Sequence, residues 1–214
     1  MDVEGQIGLL KRSGLDENRL SQMITAARFH GHICPGLAIG VAASAHYLEN
    51  HNRSVDEEIV AVVENDACGV DGIQALLGCT FGKGNLLFRD HGKSVYTFFN
   101  RVTGKGMRYS FKGIMRQGED EQVNELIERV RSEEATEEER RRFSRLWVER
   151  AAEVLKRGAD GFEITESSGP VPEKARIFGS VKCEGCGETV GAHRIVDTED
   201  GMLCIPCSES GVVV

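Results

Sequence analysis

Apolar side chains recur along this chain first at helical spacing and then at strand spacing. Leu20, Ile24 and Ala27 lie three or four apart and predict a helix over about 16–28. The chain then turns through Phe29-His30-Gly31-His32-Ile33-Cys34. Pro35 suits the first position of a second helix reaching about residue 50, because no N–H is needed there. On that helix Gly36, Gly40 and Ser44 recur every four residues, a stripe of small side chains that predicts tight core packing. The β-branched run at 58–64 reads as a buried strand. A short helix over 72–77, a strand over 86–88 and hairpin arms over 95–102 and 107–112 follow, the arms joined by Thr103-Gly104-Lys105-Gly106.

Val123, Leu126, Ile127 and Val130 mark an amphipathic helix. The next one opens with Thr136 and Glu139, three apart as a capping box requires. It carries Phe143, Leu146, Trp147, Ala151, Val154 and Leu155 on its apolar face and stops at Gly158. Its charged start, 133–142, reads as solvated. A strand over 162–165 leads into Ser167-Ser168-Gly169-Pro170-Val171-Pro172, the strongest linker signal in the chain. Hairpin signals outweigh any steady βαβ alternation, so the predicted fold class is α+β. The expected organisation is a mixed helix and sheet core domain over 1–175 and a small four-cysteine domain over 176–214.

Composition narrows the function classes. Of the 214 residues, 40% are hydrophobic and 28% charged, which argues against disorder. With 26 basic against 34 acidic side chains the net charge is −8, a poor match to a nucleic-acid backbone, although a local basic patch stays open. The longest apolar stretch, 37–45, falls short of the ~20 residues of a membrane span, so no membrane partner is expected. The charged, glycine-broken start does not read as a signal peptide. Seven cysteines, four of them in two C-x-x-C pairs, fit metal ligation in a reducing cytoplasm better than disulfides.

Those pairs are Cys183-Glu184-Gly185-Cys186 and, after seventeen intervening residues, Cys204-Ile205-Pro206-Cys207. Two intervening residues let one tight turn aim both thiolates at one ion, and four thiolates close a tetrahedron around Zn²⁺. A tail this small cannot bury a stabilising core, so metal must supply much of its folding free energy. The expectation is a structural zinc at Cys183, Cys186, Cys204 and Cys207; rubredoxin-like iron and a redox dithiol are the alternatives.

A second constellation lies in the core. His32 and Cys34 precede the helix that Pro35 opens, where the helix dipole and free N–H groups favour a thiolate. Cys79 sits in the glycine-rich loop Gly78-Cys79-Thr80-Phe81-Gly82-Lys83-Gly84-Asn85, and Cys68 follows the buried strand. Cysteines of this kind are often plain core residues. The alternative is a ligand site of His32, Cys34, Cys68, Cys79 and Lys83, with His32, Cys34 and Cys79 holding a second metal ion and Lys83 meeting an anionic or polar ligand. The glycine-rich loop is not a P-loop, since the spacing fails by one and Gly84 stands where Ser or Thr must be. His46 and His51 read as solvated, and His91 is left open.

These segments resemble a known family. Phe29-His30-Gly31-His32-Ile33-Cys34-Pro35-Gly36, Glu64-Asn65-Asp66-Ala67-Cys68-Gly69-Val70-Asp71 and the loop at 78–85 look like the motifs of the formylmethanofuran dehydrogenase E-subunit family. The cysteine tail resembles the treble-clef zinc finger of some members. The resemblance implies an α+β core, a homodimer and an auxiliary finger. It further implies an accessory role in one-carbon or pterin-linked metabolism beside oxidoreductase subunits. A stand-alone metal-dependent enzyme for hydrolysis or group transfer, and a regulatory module using the finger, are the rival expectations.

Overall fold

An α-helix that the hydrophobic spacing does not announce begins the chain. The computed structural model describes residues 1–113 and 121–210, which divide into two compact units, Met1–Lys174 and Ala175–Val214. In the first, α1 (Val3–Leu10) is capped by the Asp2 carboxylate, which accepts from the Gly5 N–H, and buries Gln6, Ile7 and Leu10. Next come α2 (Glu17–His30), capped by Asp16, and α3 (Pro35–Leu48), whose N-cap is Cys34. Gly31 separates them in the left-handed region at φ 96°, open to glycine without strain.

Strand β1 (Ile59–Val63) follows, then α4 (Gly69–Leu77), three residues longer at its start than the sequence predicts. Strands β2 (Leu86–Phe88), β3 (Val95–Asn100) and β4 (Lys105–Phe111) precede α5 (Glu121–Arg131) and α6 (Glu137–Arg157), and β5 (Phe162–Ser167) closes the sheet. Thr136 and Glu139 form the expected capping box. The sheet runs β2-β1-β3-β4-β5, with β1 and β2 parallel across α4 and every other pair antiparallel. This is the mixed helix and sheet core that the sequence predicts.

Alternation along β1 explains its burial on both faces. Ile59, Ala61 and Val63 join the main core with the helices, whereas Val60 and Val62 pack with Phe99, Leu87 and Val171 on the opposite face. Val171 belongs to the segment after β5, which Arg101 ties down: its guanidinium donates to the carbonyls of Pro172 (3.0 Å), Glu173 (2.5 Å) and Glu57 (2.6 Å). The small-residue stripe of α3 faces α4 in the same chain. A Cβ on Gly40 would stand 1.8 Å from the Gly69 carbonyl oxygen, and one on Gly72 would stand 2.8 Å from the Val41 nitrogen.

The second unit carries two hairpins, β6 (Ser180–Lys182) with β7 (Thr189–Gly191) and β8 (Ile195–Thr198) with β9 (Gly201–Cys204), followed by α7 (Ile205–Ser210). Among the described residues, no helix is long and apolar enough to cross a membrane.

Candidate metal centre

Close approach of α3 and α4 brings two loop ends together in the core. Cys34 caps α3, its Sγ accepting from the Leu37 N–H at 3.3 Å, and Cys68 stands at the start of α4. Gly36 keeps the space between them clear, since a Cβ there would meet the Cys68 Cβ at 3.3 Å and the Cys34 Sγ at 3.8 Å. The turn from α2 adds His30 and His32, with ring centroids 4.4 Å apart. One ligand atom from each of His30, His32, Cys34 and Cys68 lies within 4.8 Å of all the others, a group that could hold a metal ion.

The helix that sequence reading missed anchors this turn. Gln6 of α1 accepts from the Ile33 N–H at 2.7 Å through Oε1, and its Nε2 donates to Ser144 Oγ of α6 at 2.9 Å. From α4, Asp71 Oδ2 lies 2.6 Å from His30 Nδ1, while Asp71 Oδ1 accepts from Gln74 at 3.1 Å. A carboxylate on one ring nitrogen makes that nitrogen the N–H donor and turns the other into a lone-pair ligand. His30 Nε2 is buried and has no hydrogen-bond partner among the described residues. A buried nitrogen left without a partner is costly, and an ion among the four donors would satisfy it. Two imidazoles and two thiolates suit zinc in a tetrahedral site.

Electrostatics follow from burial. Desolvation, opposed by the Leu37 N–H and reinforced by Cys68, pushes the Cys34 thiol up to about 12. Burial, with His30 beside it, lowers the His32 pKa. A cavity of about 330 Å³ opens beside the centre, lined by His30, Cys68, Asp66 and Asp71 and by the apolar side chains of Phe81 and Phe88.

Two expected members stand elsewhere. Cys79 is fully buried, its thiol donates to the Ile59 carbonyl at 3.5 Å, and it is outside the four-residue group. It follows the α4 C-cap at Gly78, at the opposite end of that helix from Cys68. Lys83 does not face an open ligand site, because its ammonium donates to the carbonyls of Ser54 (3.5 Å), Val55 (3.4 Å) and Asp56 (2.9 Å). His46 and His51 are half-buried rather than solvated: His46 Nδ1 lies 3.0 Å from the Tyr109 hydroxyl, and His51 stacks on Tyr47 at 4.0 Å. His30, Asp71 and Gln6 escaped the sequence reading. The alternation His30-x-His32-x-Cys34 was the available signal for the first.

In the second unit, the thiols of Cys183, Cys186, Cys204 and Cys207 also lie within 4.8 Å of one another and could hold a metal ion. The Cys204 N–H donates to Cys183 Sγ at 3.2 Å, and this bond, helped by backbone N–H groups of the Cys183–Cys186 turn, lowers the Cys183 thiol to about 6. Gly187, at φ 76°, turns the chain back after Cys186.

A family model described as "FmdE, Molybdenum formylmethanofuran dehydrogenase operon" matches residues 29–161, which include all four members of the core group. The chain belongs to the FmdE family. A crystal structure of a tungsten formylmethanofuran dehydrogenase FmdE-like protein from Syntrophus aciditrophicus superposes with a TM-score of 0.58 at 23% identity, over 92% of this chain and 94% of that one, and so shares the fold. A protein of Archaeoglobus fulgidus described as a probable S-adenosyl-L-methionine-binding protein is 33% identical over 213 residues. That alignment covers 96% of the FmdE-family chain but only 57% of the relative's length.

Proposed function

We propose that this chain is a metal-binding FmdE-family protein with two zinc ions, serving as an accessory subunit in one-carbon metabolism. The core ion is held by His30, His32, Cys34 and Cys68, and the tail ion by Cys183, Cys186, Cys204 and Cys207 in a treble-clef finger. The observation that carries the core site is His30: Asp71 occupies its Nδ1 while its buried Nε2 has no hydrogen-bond partner among the described residues and stands beside three further side chains able to ligate a metal. The reducing cytoplasm is the setting in which such thiolates persist. Oxidoreductase subunits and a second copy of the chain, both implied by the family resemblance, are the partners of this reading; light scattering that gives a monomer mass would remove the second copy.

Metal stoichiometry tests the centre. The purified protein is expected to carry two zinc equivalents, and Cys34→Ser to keep one. Asp71→Asn is expected to weaken the core ion about 10–100-fold, as loss of an outer carboxylate does elsewhere. An inert core cysteine would behave otherwise: the serine variant would lose about 1–3 kcal/mol of stability and keep its full metal content.

The cavity beside the core ion gives a second reading its footing. Asp66 and Asp71 at its wall and Phe81 and Phe88 at its rim suit a cation with a flat aromatic portion. S-adenosyl-L-methionine, the ligand in the Archaeoglobus relative's description, has both features. Calorimetric titration showing no heat with this compound would remove it.

A further inference from the structure

The sheet face turned away from the helices carries a second, chemically different cavity. Val60, Val62 and Phe99 form an apolar floor there, and Val171 covers part of it. Where that cover ends, a cavity of about 210 Å³ remains, reaching from Val62 and Phe99 to Arg89, Arg108, Thr97 and Ser167. Register puts these groups on one face: Val62 pairs with Thr97, and Thr97 with Arg108. Its far wall, through Pro170 and Pro172, is held by the Arg101 hydrogen bonds. Arg101 is nearly buried, so this wall is part of the fold rather than a passing loop.

Charge is unbalanced in this cavity. Glu64 is the acidic side chain that lines it. Its two oxygens are already engaged, one by His91 Nδ1 at 3.0 Å and the other by the Arg108 guanidinium at the long distance of 3.8 Å. One carboxylate therefore faces two guanidinium groups. Arg89 makes no side-chain hydrogen bond or ion pair among the described residues. A guanidinium presents a rigid fork of donors matched to carboxylate and phosphate oxygens, and the hydroxyls of Thr97 and Ser167 stand beside it as further donors.

We propose that this cavity is an anion site that takes a small organic oxyanion, a carboxylate or phosphate on an apolar stem, with the charged head between Arg89 and Arg108 and the stem on Val62 and Phe99. It lies on the opposite face of β1 from the metal centre, because Val63 lines the cavity beside that centre whereas Val62 and Glu64 line this one. The two cavities thus differ in sign: carboxylates line the one beside the metal, guanidinium groups the other.

Titration calorimetry on the full chain with phenyl phosphate, benzoate and inorganic phosphate tests the site. Phenyl phosphate and benzoate are expected to bind, and inorganic phosphate to bind more weakly for want of a stem. Arg89→Gln is expected to weaken binding about tenfold or more, the worth of one charge-assisted hydrogen bond, with an unchanged melting temperature because that side chain is exposed. Arg108→Gln should do the same, its folding checked by circular dichroism. Glu64→Gln should act in the opposite direction and tighten binding, since it removes the competing carboxylate; a purely structural Glu64 would give no gain. Zinc content should be unchanged in the Arg89 variant, which separates this site from the metal centre. Equal affinity in the wild type and Arg89→Gln, or no binding of either organic anion, would overturn the proposal. Equal affinity for inorganic and phenyl phosphate would overturn the apolar stem.

Discussion

Cys68 and Cys79 are eleven positions apart, and their fates diverge at the two ends of one helix. Cys68 starts α4 beside Gly36 and faces Cys34, whereas Cys79 follows the α4 C-cap and is sealed under β1. Sequence shows both as cysteines near glycine, and only the crossing of α3 with α4 decides which meets the histidines. His32 and Cys34 were legible because a His-x-Cys pair before a helix-opening proline has a local meaning. Asp71 and Gln6 act from other elements and had none. Burial pushes the Cys79 thiol up to about 12 from its ordinary 9. With the folded value raised, the neutral thiol contributes its stability fully below about pH 9, and that contribution is lost as pH rises through about 12. Cys79 is therefore expected to resist iodoacetamide in the folded protein at about pH 8 and to react once the chain is unfolded. Mass spectrometry that finds Cys79 modified as fast as a free thiol in the native state would contradict its burial.

Glycine decides the placement of whole elements here, and its positions can be separated by what a methyl group would meet. Gly40→Ala should gain about 1 kcal/mol of helix propensity. It would also place a Cβ 1.8 Å from the Gly69 carbonyl oxygen, far inside van der Waals contact with backbone that cannot rotate away. Overpacking of this kind costs about 1–3 kcal/mol and sometimes more, so the clash prevails. The variant is expected to unfold at lower urea and, because α4 must shift, to bind the core ion more weakly. Among the described residues nothing lies within 4 Å of a would-be Cβ on Gly8 of α1, so Gly8→Ala should stabilise by about 0.5–1 kcal/mol. Urea midpoints that move in the same direction for both variants would rule out this account of the α3–α4 approach. The stripe on α3 was legible because its four-residue period sits in a helix with a clear start. Helix α1 was not, because eight residues containing Gly5 and Gly8 carry too little periodic signal.

At the scale of the whole molecule, the two units draw stability from different sources. Met1–Lys174 is organised around one extensive cluster of buried apolar residues, whereas the tail's cluster has only Leu203, Cys183 and Cys204 as its buried members among the described residues. The α+β character of the larger unit was legible because hairpin signals outweigh any steady βαβ alternation. The parallel β1–β2 pairing was not, since a three-residue strand such as Leu86–Phe88 shows no direction in its side chains. The tail was legible for the opposite reason: ligand spacing there stands in for an apolar core that it lacks. A zinc ion held by these four cysteines, as proposed, would supply folding free energy directly. A strong chelator added to the full chain should therefore unfold the tail while leaving the larger unit folded. Hydrogen exchange resolves the two outcomes. Amides of β6, β7 and β9 are expected to lose protection on chelation and regain it when zinc is restored, while those of β1 and β3 stay protected throughout. Persistent protection at the Cys204 N–H, which donates to Cys183 Sγ at 3.2 Å, would mean that the tail holds its fold without the ion.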